Sequence, residues 1–265
     1  MKKVIWIFAL FVLFCNSLFA QKSVARFNKN TAFTYGEKIT LKIWYTMYLS
    51  IPVGEMSVEV KPQPKILKNK PHYHLLGSGV SYKFYDAFFK VRDYYESYVN
   101  IKTFEPIACV RLINEGDYKS TEYYFFNHKT NTVKNLEGKV VKTGEYSQDV
   151  LSSIYLARTF DYKNAKVGDS FMINMFIDNA CYYVGVVYAG KETLKLKSGT
   201  YKTIKLKPIL IVDRVFNSEE DMTLWVSDDE NKIPVKIYTG ISVGAIRAEL
   251  TSYSGLKNSF TAKLK

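Results

Sequence analysis

The chain has 265 residues, of which 47% are hydrophobic, 23% charged and 15% aromatic, so it holds material for a sizeable core and too little charge for a disordered chain. With 14 Gly and 7 Pro it cannot be a collagen-like fibre. Its 37 Lys and Arg against 25 Asp and Glu give a formal net charge of +12, which bears on solubility and anionic partners and not on fold.

At the start, Lys2 and Lys3 precede an apolar run over residues 4–15, and Asn16, Ser17, Leu18, Phe19 and Ala20 lead to Gln21. This is the layout of a secretory signal peptide. A run of about a dozen apolar residues is shorter than the roughly 20 that a spanning helix needs, so residues 1–20 are expected to be removed after Ala20 and not kept as an anchor. Lipid attachment at Cys15 is the rival reading. Phe14 opposes it, because processing before a lipid-modified cysteine takes a small residue there. Export places residues 21–265 in the periplasm or cell envelope, where a lipid, a glycan or an envelope protein is the expected partner. No nucleic-acid motif appears, and after Ala20 no apolar run approaches the length of a transmembrane helix. Cys109 and Cys181 remain, and an oxidising compartment would allow them to bridge.

From Lys38 onward apolar and polar residues alternate with period two, the pattern of strands that bury one face. Ile39, Leu41, Ile43 and Tyr45 oppose Thr40, Lys42 and Trp44, and Met56, Val58 and Val60 alternate in turn; with Ile51, Pro52 and Gly54 between them, residues 38–61 read as a hairpin. The Pro- and Lys-rich residues 61–71 read as an exposed basic loop, and the aromatic residues 82–89 as a short helix. Residues 149–160 carry helical period: Val150, Leu151, Ile154, Tyr155 and Arg158 share a side, with Ser147 as cap and Asp149 in the first turn. Alternation then resumes through Leu194 and Leu196, through Ile204, Leu206, Leu210 and Val212, and through Met222, Leu224 and Val226. It closes with Ile233, Val235 and Ile237, then Ile246, Ala248 and Leu250. Short turn signals such as Glu115-Gly116-Asp117 and Ser198-Gly199-Thr200 separate these runs, too short to hold crossover helices, so pairing is antiparallel. The predicted fold is all-β: a large curved antiparallel sheet or partly closed barrel with one amphipathic helix near the middle, against its inner face. Residues 21–265 read as a single β-rich domain, with halves at 33–145 and 165–255 sharing a core.

Several segments occur in a distinctive order: Phe33-x-x-Gly36-Glu37 before a strand, residues 93–98 (DYYESY), Glu115-Gly116-x-Tyr118, and residues 149–158 (DVLSSIYLAR). Gly190-Lys191-Glu192, Gly199-x-Tyr201 and residues 225–235 (WVSDDENKIPV) follow. Together they resemble the envelope family known as domain of unknown function 3108. The resemblance implies an exported bacterial β-rich protein and supplies no catalytic residue.

Aromatic clusters are the main candidates for a site. Tyr94, Glu96 and Tyr98 fall on one side of a strand, and Asp93, Tyr95 and Ser97 on the other. Aromatic faces beside charged groups hold sugars and amphiphiles, whereas the plainer reading is that tyrosine packs in strands with its hydroxyl in water. On the first reading the ligand-binding residues are Tyr94, Glu96, Tyr98, Tyr123, Tyr155 and Arg158. They would serve an envelope binding or scaffolding protein that holds an amphiphilic or glycan ligand on a concave β surface. The alternative is a glycan-active hydrolase with paired carboxylates among Glu96, Glu115, Asp117 and Asp149. No catalytic residue, cofactor or metal is assigned. There is no Gly-x-Ser-x-Gly elbow, no phosphate-cradling loop and no dinucleotide fingerprint. His72 and His74 have metal-binding spacing but lack a third ligand. An outer-membrane barrel is disfavoured by Lys195, Lys197, Lys205 and Lys207, which interrupt any lipid-facing band.

Overall fold

The computed structural model describes residues 24–209 and 222–264. The expected leader with Cys15, and Leu210 and Val212 of the second-half alternation, lie outside the described residues. Nine strands come first: β1 (Lys38–Thr46), β2 (Ser50–Val60), β3 (Lys65–Leu67), β4 (Lys70–Ser81), β5 (Arg92–Asn100), β6 (Pro106–Glu115), β7 (Tyr118–Asn127), β8 (Thr132–Asn135) and β9 (Val140–Lys142). After helix α1 (Val150–Ala157) follow β10 (Ser170–Ile177), β11 (Ala180–Leu196), β12 (Gly199–Ile209), β13 (Met222–Ser227), β14 (Pro234–Gly240), β15 (Ala245–Ser254) and β16 (Lys263–Leu264). They form one antiparallel sheet in the order β10-β11-β12-β13-β14-β15-β1-β2-β4-β5-β6-β7-β8-β9, with β3 on β4 and β16 on β12.

Local chemistry explains the meander. Lys68 and Asn69 both have positive φ (49° and 58°), as do Asp178 and Asn179 (49° and 58°), so each pair makes the tight left-handed turn that suits two-residue hairpins. The longest-range pairing among the described residues is β1 on β15, running from Lys38 opposite Ser254 to Thr46 opposite Ala245. Register shifts at Thr40/Leu41, Ile43/Trp44, Tyr98/Val99 and Tyr188/Lys191 mark bulges, which raise local twist and let so wide a sheet curl.

The curled sheet encloses a main core, with a smaller cluster around Cys109 and Phe176. Ile39, Leu41, Val58, Val60, Leu75, Val99, Leu206 and Leu250, drawn from six strands, meet the same cluster as Leu151, Tyr155 and Leu156 of α1. Part of residues 24–36 also packs into the core, although Arg26, Asn28 and Lys29 stay exposed. Phe33 is fully buried with its ring edge-on to Tyr155 at 4.9 Å, and Phe27 stacks on Phe104 at 5.1 Å. Helix α1 touches β4 and β5 mid-sheet and β10 at the edge, so β10 comes round to face β6 and β7. There Phe176 meets Tyr124 edge-on at 5.0 Å, and Arg111 reaches Asp178 at 2.6 Å. Gln148 joins the seam by two backbone hydrogen bonds to β10, at 2.8 Å each. Side chains and this connecting segment draw the two ends of the sheet together; among the described residues no ladder pairs β9 with β10.

Several local expectations change. The first hairpin turns at residues 47–49, because Ile51, Pro52 and Gly54 already pair with β1. Residues 82–89 form only a 3-10 turn at Lys83–Tyr85. The helix is capped by Asp149, whose side chain accepts from the Ser152 amide while the Ser152 hydroxyl returns to the Asp149 amide. Ser147 instead donates to the Gly144 carbonyl. Since core surrounds most of the helix, Ser152 and Leu156 are buried and Ile154 is 39% exposed, which a single apolar stripe does not describe. Cys109 and Cys181 are free thiols that pack in the same small cluster with Tyr124, Phe126, Val133 and Phe176.

Candidate functional site

Strand register divides the six candidate residues between two places. Asp93, Ser97 and Val99 of β5 point into the core, so Tyr94, Glu96 and Tyr98 point outward. The ladders then set Leu76, Glu96, Val110 and Tyr123 in one outer row across β4 to β7, Ser78, Tyr94, Leu112 and Thr121 in the next, and His74, Tyr98, Ala108 and Phe125 on the other side. Tyr94 and Phe125 are 47% and 46% exposed. An open depression of about 390 Å³, lined by Arg92, Tyr94, Leu112, Asn114, Lys119 and Thr121, lies at one end of this face.

Glu96 is held within the face: the Tyr98 hydroxyl donates to Oε2 at 2.7 Å, His74 Nε2 lies 3.0 Å from the same oxygen, and the Tyr98 and His74 rings stack at 4.6 Å. Partial burial works against ionisation of Glu96, but the hydrogen bonds from Tyr98 and His74 outweigh it and bring the carboxyl below its ordinary value. Burial and the Glu96 carboxylate push the Tyr98 hydroxyl up to about 12. The face therefore presents a fixed carboxylate among aromatic rings, which suits hydrogen bonds to hydroxyls and stacking on apolar rings.

Tyr155 and Arg158 are not part of this surface. Tyr155 is fully buried, and its neighbour Arg158 is 4% exposed. The Arg158 guanidinium forks onto Glu37, with Nη1 to Oε1 at 2.6 Å and Nη2 to Oε2 at 2.8 Å, and donates to the carbonyls of Ala32 and Asn231. Glu37, Arg158 and Asn231 come from three of the segments that carry the family resemblance, so those segments converge on a structural lock. Among the described residues, the concave side expected to hold a ligand is packed by α1 together with Ala32 and Phe33. The cavity beside Asp149, Arg111 and Tyr124 measures about 10 Å³, room for one water.

Three of the carboxylates considered for glycoside cleavage, Glu96, Asp149 and Glu115, are each engaged by neighbours. Glu96 is shifted the wrong way for a general acid. Asp149, raised by burial, is engaged as a helix cap and accepts from the Ser97 hydroxyl at 2.5 Å. Glu115 is raised by burial and by Asp93, which stands close enough to hydrogen-bond to it, whereas the retaining mechanism needs carboxyls roughly 5 Å apart. His72 and His74 also separate: His72 is buried with Nδ1 at 2.8 Å from the Lys70 carbonyl oxygen, while His74 serves Glu96. His74, which the sequence offers as a metal ligand or as part of an ordinary exposed strand, reaches the outer aromatic face through its pairing with Tyr98 of β5, and no motif in the sequence signals that pairing.

Among the described residues, a curled, incompletely laddered sheet around one α-helix defines a β-barrel-like protein. The crystal structure of a β-barrel-like protein of the domain of unknown function DUF1849 from Brucella abortus shares this fold, with a TM-score of 0.53 at 6% identity over 85% of this chain and 99% of that one. A protein from Parabacteroides distasonis, described as a candidate lipoprotein, aligns over 88% of this chain and 100% of its own at 11% identity with a TM-score of 0.31. No curated protein matches the sequence. The chain belongs to the family described as protein of unknown function DUF3108, which it matches over residues 40–251.

Proposed function

We propose that this DUF3108 protein is an exported binding or scaffolding protein of the periplasm or cell envelope, and that its contact surface is the outer aromatic face of β4 to β7. The reading rests on one observation: Tyr94, Glu96, Tyr98 and Tyr123 share that face beside an open depression flanked by Arg92 and Lys119. Aromatic rings, a fixed carboxylate and the cation of Lys119, with Arg92 already paired to Asp86, suit an amphiphilic or glycan ligand with an acidic group. The leader-like residues 1–20 supply the address.

The test is native mass spectrometry of the protein purified from its own cells, followed by thermal melting with envelope lipids and with envelope glycans. A bound species or a raised Tm is expected for the natural sequence, with affinity lowered about tenfold in Tyr94→Ala/Tyr123→Ala, on the scale of one or two lost ring contacts. If nothing copurifies and neither class of additive moves the Tm, the proposal fails.

A further inference from the structure

Antiparallel order turns several connections toward one end of the sheet, among them the β1–β2 hairpin, the β4–β5 connection, and the β6–β7 and β14–β15 turns. They touch one another in sequence around the rim. The Tyr45 hydroxyl donates to the Val243 carbonyl at 3.1 Å, the Tyr82 amide to the Val53 carbonyl at 2.9 Å, and the Gly116 amide to the Lys90 carbonyl at 2.8 Å. This end of the molecule displays large apolar side chains instead of covering them. Tyr48 is 91% exposed, Leu49 78%, Phe84 76%, Phe88 82%, Tyr118 59% and Val243 60%. Residues 43–54 and 237–246 contain no Asp, Glu, Lys or Arg at all.

Isolated exposed apolar residues need no explanation, but apolar tips grouped on one rim do. We propose that this rim docks on a lipid bilayer, inserting the tips of the β1–β2 and β4–β5 connections among the acyl chains. Three observations select a lipid surface as the occupant. The apolar groups stand on separate hairpin tips, which enter a fluid phase individually, and not on a flat face that would need a complementary partner. The β4–β5 tip carries exposed Lys83 and Lys90 on either side of Phe84, Phe88 and Phe89, while its acid Asp86 is tied to Arg92 at 2.6 Å. Exposed cations flanking aromatic tips are arranged to meet anionic headgroups while the rings go deeper. The net charge of +12 agrees in sign. Docking of this kind is peripheral and reversible, and it stands independently of any ligand on the outer face.

Flotation of the protein, as the cell processes it, with vesicles of phosphatidylcholine alone and of phosphatidylcholine mixed with phosphatidylglycerol tests this. Binding is expected to the mixed vesicles, weaker to the neutral ones and weakened by salt. Leu49→Ser/Phe88→Ser is expected to reduce binding at least about tenfold, as befits two lost apolar insertions. Ile66→Ser/Val167→Ser, exposed changes at the opposite end of the sheet, should leave it unaltered. Both pairs lie on the surface, so circular dichroism melting should match the natural sequence. The proposal is overturned if the natural sequence ignores both vesicles, or if the rim variant floats as well as it does. Absence of vesicle binding together with rim-dependent self-association in sedimentation velocity would also overturn it, and would reassign the rim to protein contact.

Discussion

Arg158 shows what a single side chain does in this protein. Its guanidinium is fully enclosed, and both of its arms are spent on Glu37 and on the carbonyls of Ala32 and Asn231. Arg158→Met therefore strands a buried carboxylate and is expected to lower the unfolding free energy by about 3–5 kcal/mol in urea titration. Arg158→Lys should recover little of this, since an ammonium cannot fork. A loss within the surface-pair range of about 1 kcal/mol would show that the lock is not as enclosed as described. At this scale the sequence was only partly legible. Arg158 stood out as a charge on an apolar helix side, but Glu37 lies 121 positions away and no spacing rule connects them. Period two sorted Tyr94, Glu96 and Tyr98 from Asp93, Tyr95 and Ser97, yet both sets mix rings with polar groups. What turns Asp93 and Ser97 inward is specific: the Asn114 amide and Asp149 wait there to be satisfied.

Helix α1 is the element on which the interior is arranged. Its Leu151 side chain lies against Gly77 of β4, where a Cβ would stand 2.8 Å from a Leu151 methyl carbon. Its N-cap, Asp149, is enclosed, and burial raises its pKa against the opposing hydrogen bonds from Ser97 and Ser152. The folded chain thus keeps this proton to higher pH than the unfolded chain does. Between the two values the native state binds more protons, so this group makes stability fall as pH rises through the window that opens near 3.8. Asp149→Asn retains an acceptor for the cap and removes the ionisation. Urea unfolding over a pH series should show a flatter profile for the Asn variant above that value, and an identical slope in the two proteins would refute the account. The helix itself was legible from period 3.6. Its cap was not, because Ser147 and Asp149 are both good caps and only the seam with β10 decides between them.

Over the whole molecule, alternation and short turns made the antiparallel sheet legible, but not the way its ends approach each other. The seam of Phe176 with Tyr124 and Phe126, and of Arg111 with Asp178, unites segments far apart in the chain. Phe176→Ala is expected to cost about 3–5 kcal/mol. In hydrogen exchange, protection should drop first in residues 143–149 and 170–177 while β1 and β15 stay protected; uniform loss would mean that the seam is not a separate region of weakness. The pairing of β1 with β15 has a consequence in time. The first strand made finds this neighbour only when residues 245–254 have been synthesised, so through most of its production the nascent polypeptide carries an open edge that it cannot cover itself. Such late closure makes folding slow and the unfinished chain prone to sticking.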